Sequence, residues 1–197
     1  MEFIAHRINS IEELKTLNEE FGVELDLRDG NDGQIYISHD PFQSGDSFEA
    51  YLKEYHHGTM ILNIKSERIE HKVIDLLCKY KINKYFFLDS SFPMIKLLSD
   101  NGEKNIALRF SEFEGLDTIK NMQGKVNWIW VDCFTIMPLT EEIALELKKM
   151  GFKICIVSPE LQGQPEKIDI YKTQLKQQNI EIDAVCTKTY NIKRWQI

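Results

Sequence analysis

Eight short apolar runs rich in β-branched and aromatic side chains recur along this chain, at 3–7, 22–28, 59–65, 84–89, 106–110, 127–132, 153–158 and 184–188. They are continuous rather than alternating, which implies strands buried on both faces, as in a parallel sheet covered by helices. Between most of them lie segments of helical period: Ile69, Val73, Leu76, Leu77 and Tyr80 share one face at about 3.6 residues per turn. Local signals agree, since Ser10 with Glu13 makes a capping box, Thr140 precedes Glu141 and Glu142, and Gly151 follows Met150 at a helix end. This rhythm predicts an α/β fold, a small closed (β/α)8 TIM barrel, with a doubly wound open sheet as the alternative. The turn formers at 29–33 lead into a further run, 34–40, which predicts a β-hairpin extension after the second strand, above the barrel mouth. The same cluster superficially resembles a calcium loop but lacks the Gly and Glu spacing that an EF-hand requires.

A length of 197 residues suits a single domain spanning 1–197. With 31 acidic against 24 basic side chains and a net charge of −7, the chain has no long-range attraction to nucleic acid or to an anionic membrane. No apolar run approaches the roughly 18 residues of a membrane span, and the first residues lack the pattern of a signal peptide, so a cytoplasmic location is expected. Cys78, Cys133, Cys155 and Cys186 are scattered among apolar neighbours without metal spacing and read as buried reduced thiols. Nothing in the sequence sets the oligomeric state.

Nearly every strand ends in groups able to bind or react: His6 and Arg7, Glu24 and Asp26, Lys65, Asp89, Arg109, Asp132, Ser158, Thr187 and Lys188. In a βα barrel these ends converge at one mouth, where active sites lie. Taken singly, Asp89, Asp132 and Ser158 read equally well as strand ends reaching solvent. Glu24 and Asp26 stand two apart on a strand and share a face, where two carboxylates repel unless a cation neutralises them. One hard divalent ion, Mg²⁺ or Ca²⁺, fits that oxygen pair, and pairing with Lys65 and Arg109 is the structural alternative.

His6 ends the first strand and His39 with Asp40 ends the hairpin, so two imidazoles are expected to flank the carboxylates. Such a pair suits acid/base chemistry on a phosphodiester, with Lys65 and Arg7 holding the phosphate oxygens. Asp40, Asp89, Arg109 and Asp132 complete the candidate pocket. A zinc site built on both histidines is a lower-ranked reading. His56, His57 and His71 are expected to face solvent.

The segments 4–7, 23–28, 35–41 and 61–65, in the order His-Arg, Glu-x-Asp, His-Asp and a strand-ending Lys, resemble the glycerophosphodiester phosphodiesterase family, within the phosphatidylinositol phospholipase C-like barrels. The resemblance covers roughly the first third of the chain. It implies a (β/α)8 barrel that cleaves phosphodiesters with a divalent metal, His6 and His39 as the acid/base pair, and Glu24 and Asp26 as metal ligands. Asn63 stands where the family has an acidic ligand, and Arg7 and Lys65 would contact phosphate. In such enzymes a neighbouring hydroxyl of the alcohol portion commonly attacks phosphorus to give a cyclic phosphate.

Three departures stand out. Ile8, Asn9 and Ser10 replace the Gly and the longer segment that usually follow His-Arg, Asn63 removes one charge from the metal site, and the chain is short for the family. The expected function is therefore a metal-dependent phosphodiesterase acting on a glycerophosphodiester-like small molecule or a lipid-derived one. Its rival is a catalytically impaired barrel that binds a phosphorylated ligand or partner without turnover. A lyase or isomerase using Lys65 or Lys188 needs a lysine of depressed pKa, for which the sequence gives no signal.

Overall fold

Each apolar run becomes a strand: β1 (Glu2–Ala5), β2 (Gly22–Asp29), β4 (Met60–Ile64), β5 (Tyr85–Leu88), β6 (Ala107–Phe110), β7 (Trp128–Val131), β8 (Lys153–Val157) and β9 (Ala184–Thr187). The hairpin strand is β3 (Ile35–Ile37). Helices alternate with them: α1 (Ile11–Thr16), α2 (Phe48–Lys53), α3 (Glu70–Lys79), α4 (Phe92–Asp100), α5 (Asp117–Asn121), α6 (Glu141–Lys149), α7 (Ile168–Gln177) and α8 (Ile192–Trp195). The computed structural model describes residues 1–196. Its sheet runs β5-β4-β2-β1-β9-β8-β7-β6 with every neighbour parallel, and β3 adds antiparallel to the end of β2. This is a nearly closed (β/α)8 barrel, as the continuous apolar runs predict, and the open-sheet alternative falls.

Closure is uneven. Seven parallel ladders join the strands, whereas the backbones of β5 and β6 meet at the single Phe87–Ile106 bridge, where the Phe87 amide donates to the Asn105 carbonyl at 2.8 Å. The strands separate two apolar sets. Outward residues such as Val23, Leu25, Leu27, Met60, Leu62 and Phe87 pack against the helices in one core. Inward residues, among them Ile4, Ile61, Phe86, Trp128, Cys155 and Cys186, fill the barrel in a second. Phe86 and Trp128 stack there with ring centroids 4.5 Å apart. Strand parity places Glu24 and Asp26 opposite to Val23, Leu25 and Leu27, so the two carboxylates point inward.

The capping pattern is realised at α1 and α6. Ser10 Oγ accepts from the Glu13 amide at 3.2 Å, and Thr140 Oγ1 from the Ile143 amide at 3.3 Å. Gly151, with φ of 89°, turns the chain out of α6 in a conformation that costs a glycine little. Two sequence expectations are corrected. Cys78 is exposed, because it falls on the face of α3 opposite the buried Val73 and Leu77. His57 is half-buried, its Nε2 lying 3.2 Å from the Leu17 carbonyl.

The hairpin returns toward α2 through Gly45, where a Cβ would lie 1.8 Å from the Ile37 carbonyl oxygen. Gly45→Ala therefore has to displace β3 or the segment after it. The expected loss in denaturant-induced unfolding is about 1–3 kcal/mol, the usual scale of overpacking. A neutral result would mean that the hairpin is loosely held.

Candidate active site

The upper members of the inward residue set surround a cleft of about 640 Å³ at the C-terminal end of the barrel. His6, Arg7, Glu24, Asn63 and Lys65 form one wall, and Asp89, Arg109, Asp132 and Lys188 continue around it. Asp26 is fully buried behind the first wall. His39 and Asp40 stand on the segment leaving β3, outside the lining, where His39 reaches the site through Arg7.

Register explains the first group. In the β2–β4 ladder Asp26 is opposite Asn63, so three oxygen-bearing side chains gather within two strands. Asn63 Nδ2 donates to Glu24 Oε1 at 2.8 Å, and the Arg7 amide donates to Glu24 Oε2 at 2.8 Å. Asn9 clamps Asp26 from both sides: its Nδ2 donates to Asp26 Oδ2 at 2.8 Å, and its Oδ1 accepts from the Asp26 amide at 3.0 Å. Asp26 Oδ1 and Asn63 Oδ1 are buried without a hydrogen-bond donor. Burial, and then the Asp26 charge, push the Glu24 carboxyl up to about 7 despite its hydrogen bonds.

Among the described residues no three His, Cys, Asp or Glu side chains gather as a metal cluster. The third donor here is a carboxamide. Two carboxylates and a carboxamide, with Asn63 Oδ1 lacking a donor and Asp26 Oδ1 met only by Lys65 Nζ at 3.6 Å, make an all-oxygen set that fits a hard divalent cation and does not fit zinc.

The imidazoles differ in setting. His6 lies with Nε2 3.7 Å from Glu24 Oε2, and its Nδ1 is buried without a partner. Burial, followed by the charges of Lys188 and Arg7, pushes its pKa down to about 3, so the ring is neutral. His39 sits between Asp40 and Arg7, with Nδ1 2.8 Å from Asp40 Oδ1 and Nε2 2.6 Å from Arg7 Nη2. A guanidinium can only donate, so Nε2 is the unprotonated nitrogen and Nδ1–H donates to Asp40. Arg7 has φ of 55°, a left-handed conformation that a residue with a Cβ adopts at a cost.

Charges then alternate around the rim. Arg7 Nε lies 3.7 Å from Asp26, Lys65 Nζ 3.6 Å from Asp26 and 3.4 Å from Asp89, and Arg109 Nη2 2.7 Å from Asp89. Arg109 also pairs with Asp132, which accepts from Trp130 Nε1 at 3.3 Å and Gln162 Nε2 at 3.2 Å. Burial works against the Arg109 charge, yet Asp132 and Asp89 hold its pKa above the ordinary value. Burial pushes the Asp132 carboxyl up, against the pull of Arg109. The Asp89–Arg109 pair spans the junction that the backbone leaves almost unjoined.

On the far wall the sequence points to Ser158, Thr187 and Lys188 but not to Glu160, Phe113 or Phe134. Glu160 there accepts from Thr187 Oγ1 at 2.5 Å and the Lys188 amide at 3.0 Å, and bonds Ser158 Oγ. Phe113 and Phe134 also line the cleft, their rings 6.1 Å apart.

No family model matches the chain, and no curated protein matches it. Solved structures do. A glycerophosphodiester phosphodiesterase from Agrobacterium tumefaciens aligns with a TM-score of 0.67 at 16% identity, covering 94% of this chain and 96% of its own. One from Thermotoga maritima gives 0.66 at 19% identity, over 98% and 96%. An Oleispira antarctica phosphodiesterase in complex with the product sn-glycerol-3-phosphate gives 0.69 at 13% identity, over 99% and 96%. At these identities the likeness establishes the barrel architecture along the whole chain, and two of the three structures carry the name of the family that the motifs resemble.

Proposed function

We propose that this chain is a phosphodiester hydrolase of the glycerophosphodiester phosphodiesterase kind, with His6 and His39 as its acid/base pair. The observation that carries the proposal is the pair of buried oxygens, Asp26 Oδ1 and Asn63 Oδ1, neither with a hydrogen-bond donor, set beside Glu24 and His6 and ringed by Arg7, Lys65 and Lys188. Glu24, Asp26 and Asn63 would hold a divalent cation, which would supply positive charge to the phosphoryl group. Lys65 and Arg7 add hydrogen bonds to those oxygens and fix the phosphorus between the imidazoles.

His39, oriented by Asp40 with Nε2 unprotonated, has the arrangement of a base. It takes the proton of a neighbouring substrate hydroxyl as that oxygen bonds to phosphorus. The bond from phosphorus to the leaving alcohol oxygen breaks, and that oxygen takes a proton from His6, whose buried, neutral ring gains one only when the phosphodiester anion binds beside it. Water then opens the cyclic phosphate with the two roles reversed, leaving a phosphomonoester. Arg7 has to release His39 Nε2 before the first transfer, which the anionic phosphate favours by offering the guanidinium a better acceptor.

The test is a panel of glycerophosphodiesters and bis(p-nitrophenyl) phosphate assayed with Mg²⁺, Ca²⁺ and Mn²⁺, with phosphorus NMR following the products. Metal-stimulated release of a phosphomonoester is expected, in line with the product held by the Oleispira antarctica structure. No turnover with any ion would leave the non-catalytic phosphate-binding barrel, which the Asn63 substitution and the Arg7–His39 contact favour.

Asn63→Asp tests the donor set directly. It adds an anionic oxygen where Asn63 Oδ1 lacks a donor, but it also sets two carboxylates at a spacing now bridged by a 2.8 Å hydrogen bond. The variant is expected to bind Mg²⁺ or Ca²⁺ about tenfold more tightly by calorimetry and to melt at lower temperature without metal. Unchanged affinity would place the ion away from Asn63.

A further inference from the structure

Strand β2 carries three polar groups on one side. Positions 24, 26 and 28 share it by strand parity, so the register that aims Glu24 and Asp26 also sets Arg28 above them, at the strand's upper end. The Arg28 guanidinium forks across two loops. Its Nε and Nη2 donate to the His39 carbonyl at 3.2 and 2.9 Å, and its Nη1 donates to the Lys65 carbonyl at 2.8 Å. Those two residues bring an imidazole and an ammonium to the candidate site from loops that lie 11 and 37 positions from Arg28. Among the described residues no other hydrogen bond reaches the His39 main chain, and the arginines that pair with carboxylates are Arg7, Arg109 and Arg194, not Arg28. The Arg28 cation is thus committed to two carbonyl oxygens.

A guanidinium presents several N–H donors in a fixed plane, which an ammonium does not. Here that plane ties the loop bearing His39 to the loop bearing Lys65 within the span of one group. The neighbouring anchors leave His39 in need of such a tie. The Ile37 amide donates to the Asp46 carbonyl at 2.9 Å and the Ser38 amide to the Asp26 carbonyl at 3.0 Å, and between these anchors the fork joins the chain to the barrel at His39. Lys65 is held from both sides, since its own amide donates to the Leu27 carbonyl at 2.9 Å. We infer that Arg28 is a positioning residue, which fixes the imidazole of His39 relative to the phosphate held by Lys65. The inference rests on the phosphodiesterase reading for what those two residues do, and on the fork alone for how they are held. A displacement of about 1 Å between reacting groups can cost about 10²-fold in rate, so a tether of this kind acts on turnover without touching substrate.

Arg28→Ala removes the fork, and Arg28→Lys keeps the positive charge while reaching one carbonyl at a time. With glycerophosphocholine and Mg²⁺, we expect both variants to lose about 10²-fold in kcat while KM and the calorimetric affinity for Mg²⁺ stay unchanged, because the fork touches neither phosphate nor the oxygen donors. Millimolar guanidinium ion, far below denaturing concentrations, should restore part of kcat in Arg28→Ala and none in Arg28→Lys. Hydrogen exchange needs no turnover: in Arg28→Ala the Ser38 and Lys65 amides should exchange at least about tenfold faster, with the barrel strands as protected as before. Wild-type turnover matched by Arg28→Ala would overturn the clamp and leave the hydrolase standing. A joint change in kcat, KM and melting temperature without guanidinium rescue would overturn it too, as the mark of a merely structural contact. Unchanged exchange at Ser38 and Lys65 would overturn it even in an inactive protein. A wild type that hydrolyses no substrate would instead sink the phosphodiesterase reading, and the catalytic role of the clamp with it.

Discussion

His6→Ala is expected to lower turnover of a glycerophosphodiester by about 10²–10⁴-fold while leaving the barrel folded. The magnitude follows from removing a positioned proton donor. The folding part follows from the structure: Nδ1 has no hydrogen-bond partner, and Nε2 is 3.7 Å from Glu24, so deletion breaks no hydrogen bond and strands no partner. His39→Ala should fall in the same range. Asp40→Asn, which only weakens the orientation of His39, should cost less and shift the pH profile of kcat rather than abolish activity. Circular dichroism and thermal melting separate chemistry from folding. Rates within a few-fold of wild type for His6→Ala would remove that imidazole from the mechanism.

Glu24→Gln should abolish binding of Mg²⁺ and Ca²⁺ in calorimetry. Glu24 and Asp26 are the only carboxylates in the donor set, so the substitution halves its negative charge, while the Gln oxygen keeps the Arg7 amide and its NH2 donates to Asn63 once that carboxamide turns its Oδ1 toward it. The same change relieves the metal-free protein, because burial and the Asp26 charge already push the Glu24 carboxyl up to about 7. The variant should therefore melt no lower than wild type without metal and gain nothing from its addition. Wild type, at an ion concentration of about 100 Kd, should gain about 2.7 kcal/mol. Metal-dependent stabilisation that survives in Glu24→Gln would put the ion elsewhere and take away the main support for a metallophosphodiesterase.

The barrel was legible because its signal is repeated: eight apolar runs each had to be strands, and one misjudged run would have left seven. Glu24 and Asp26 were legible for a similar reason, since period two fixes their common face whatever surrounds them. Asn9 was a harder residue, because its clamp on Asp26 joins positions 17 apart through a loop whose path the sequence does not state. Glu160 carried no signal, because the groups that bond it, Thr187 and the Lys188 amide, lie 27 and 28 positions away. Phe113 and Phe134 carried no signal either, since only the arrangement of neighbouring βα connections brings them together. Cys78 was misread because its apolar neighbours were weighed above its place off the face shared by Val73 and Leu77, and His57 because a turn has no periodicity to assign its face.

The weak β5–β6 junction gives the cleft a property that the rest of the barrel lacks. Elsewhere the strands are joined by backbone hydrogen bonds, which dissolved salt hardly touches. Between β5 and β6 the mouth is held by Asp89 and Arg109, partly open to solvent at 23% and 33% exposure. Counter-ions reach such a pair, and its attraction weakens as the Debye length shrinks from about 10 Å at 0.1 M to about 3 Å at 1 M. Raising ionic strength is therefore expected to loosen the contact beside Lys65 while the seven ladders stay as they are, a difference that hydrogen exchange at the β5 and β6 amides would read.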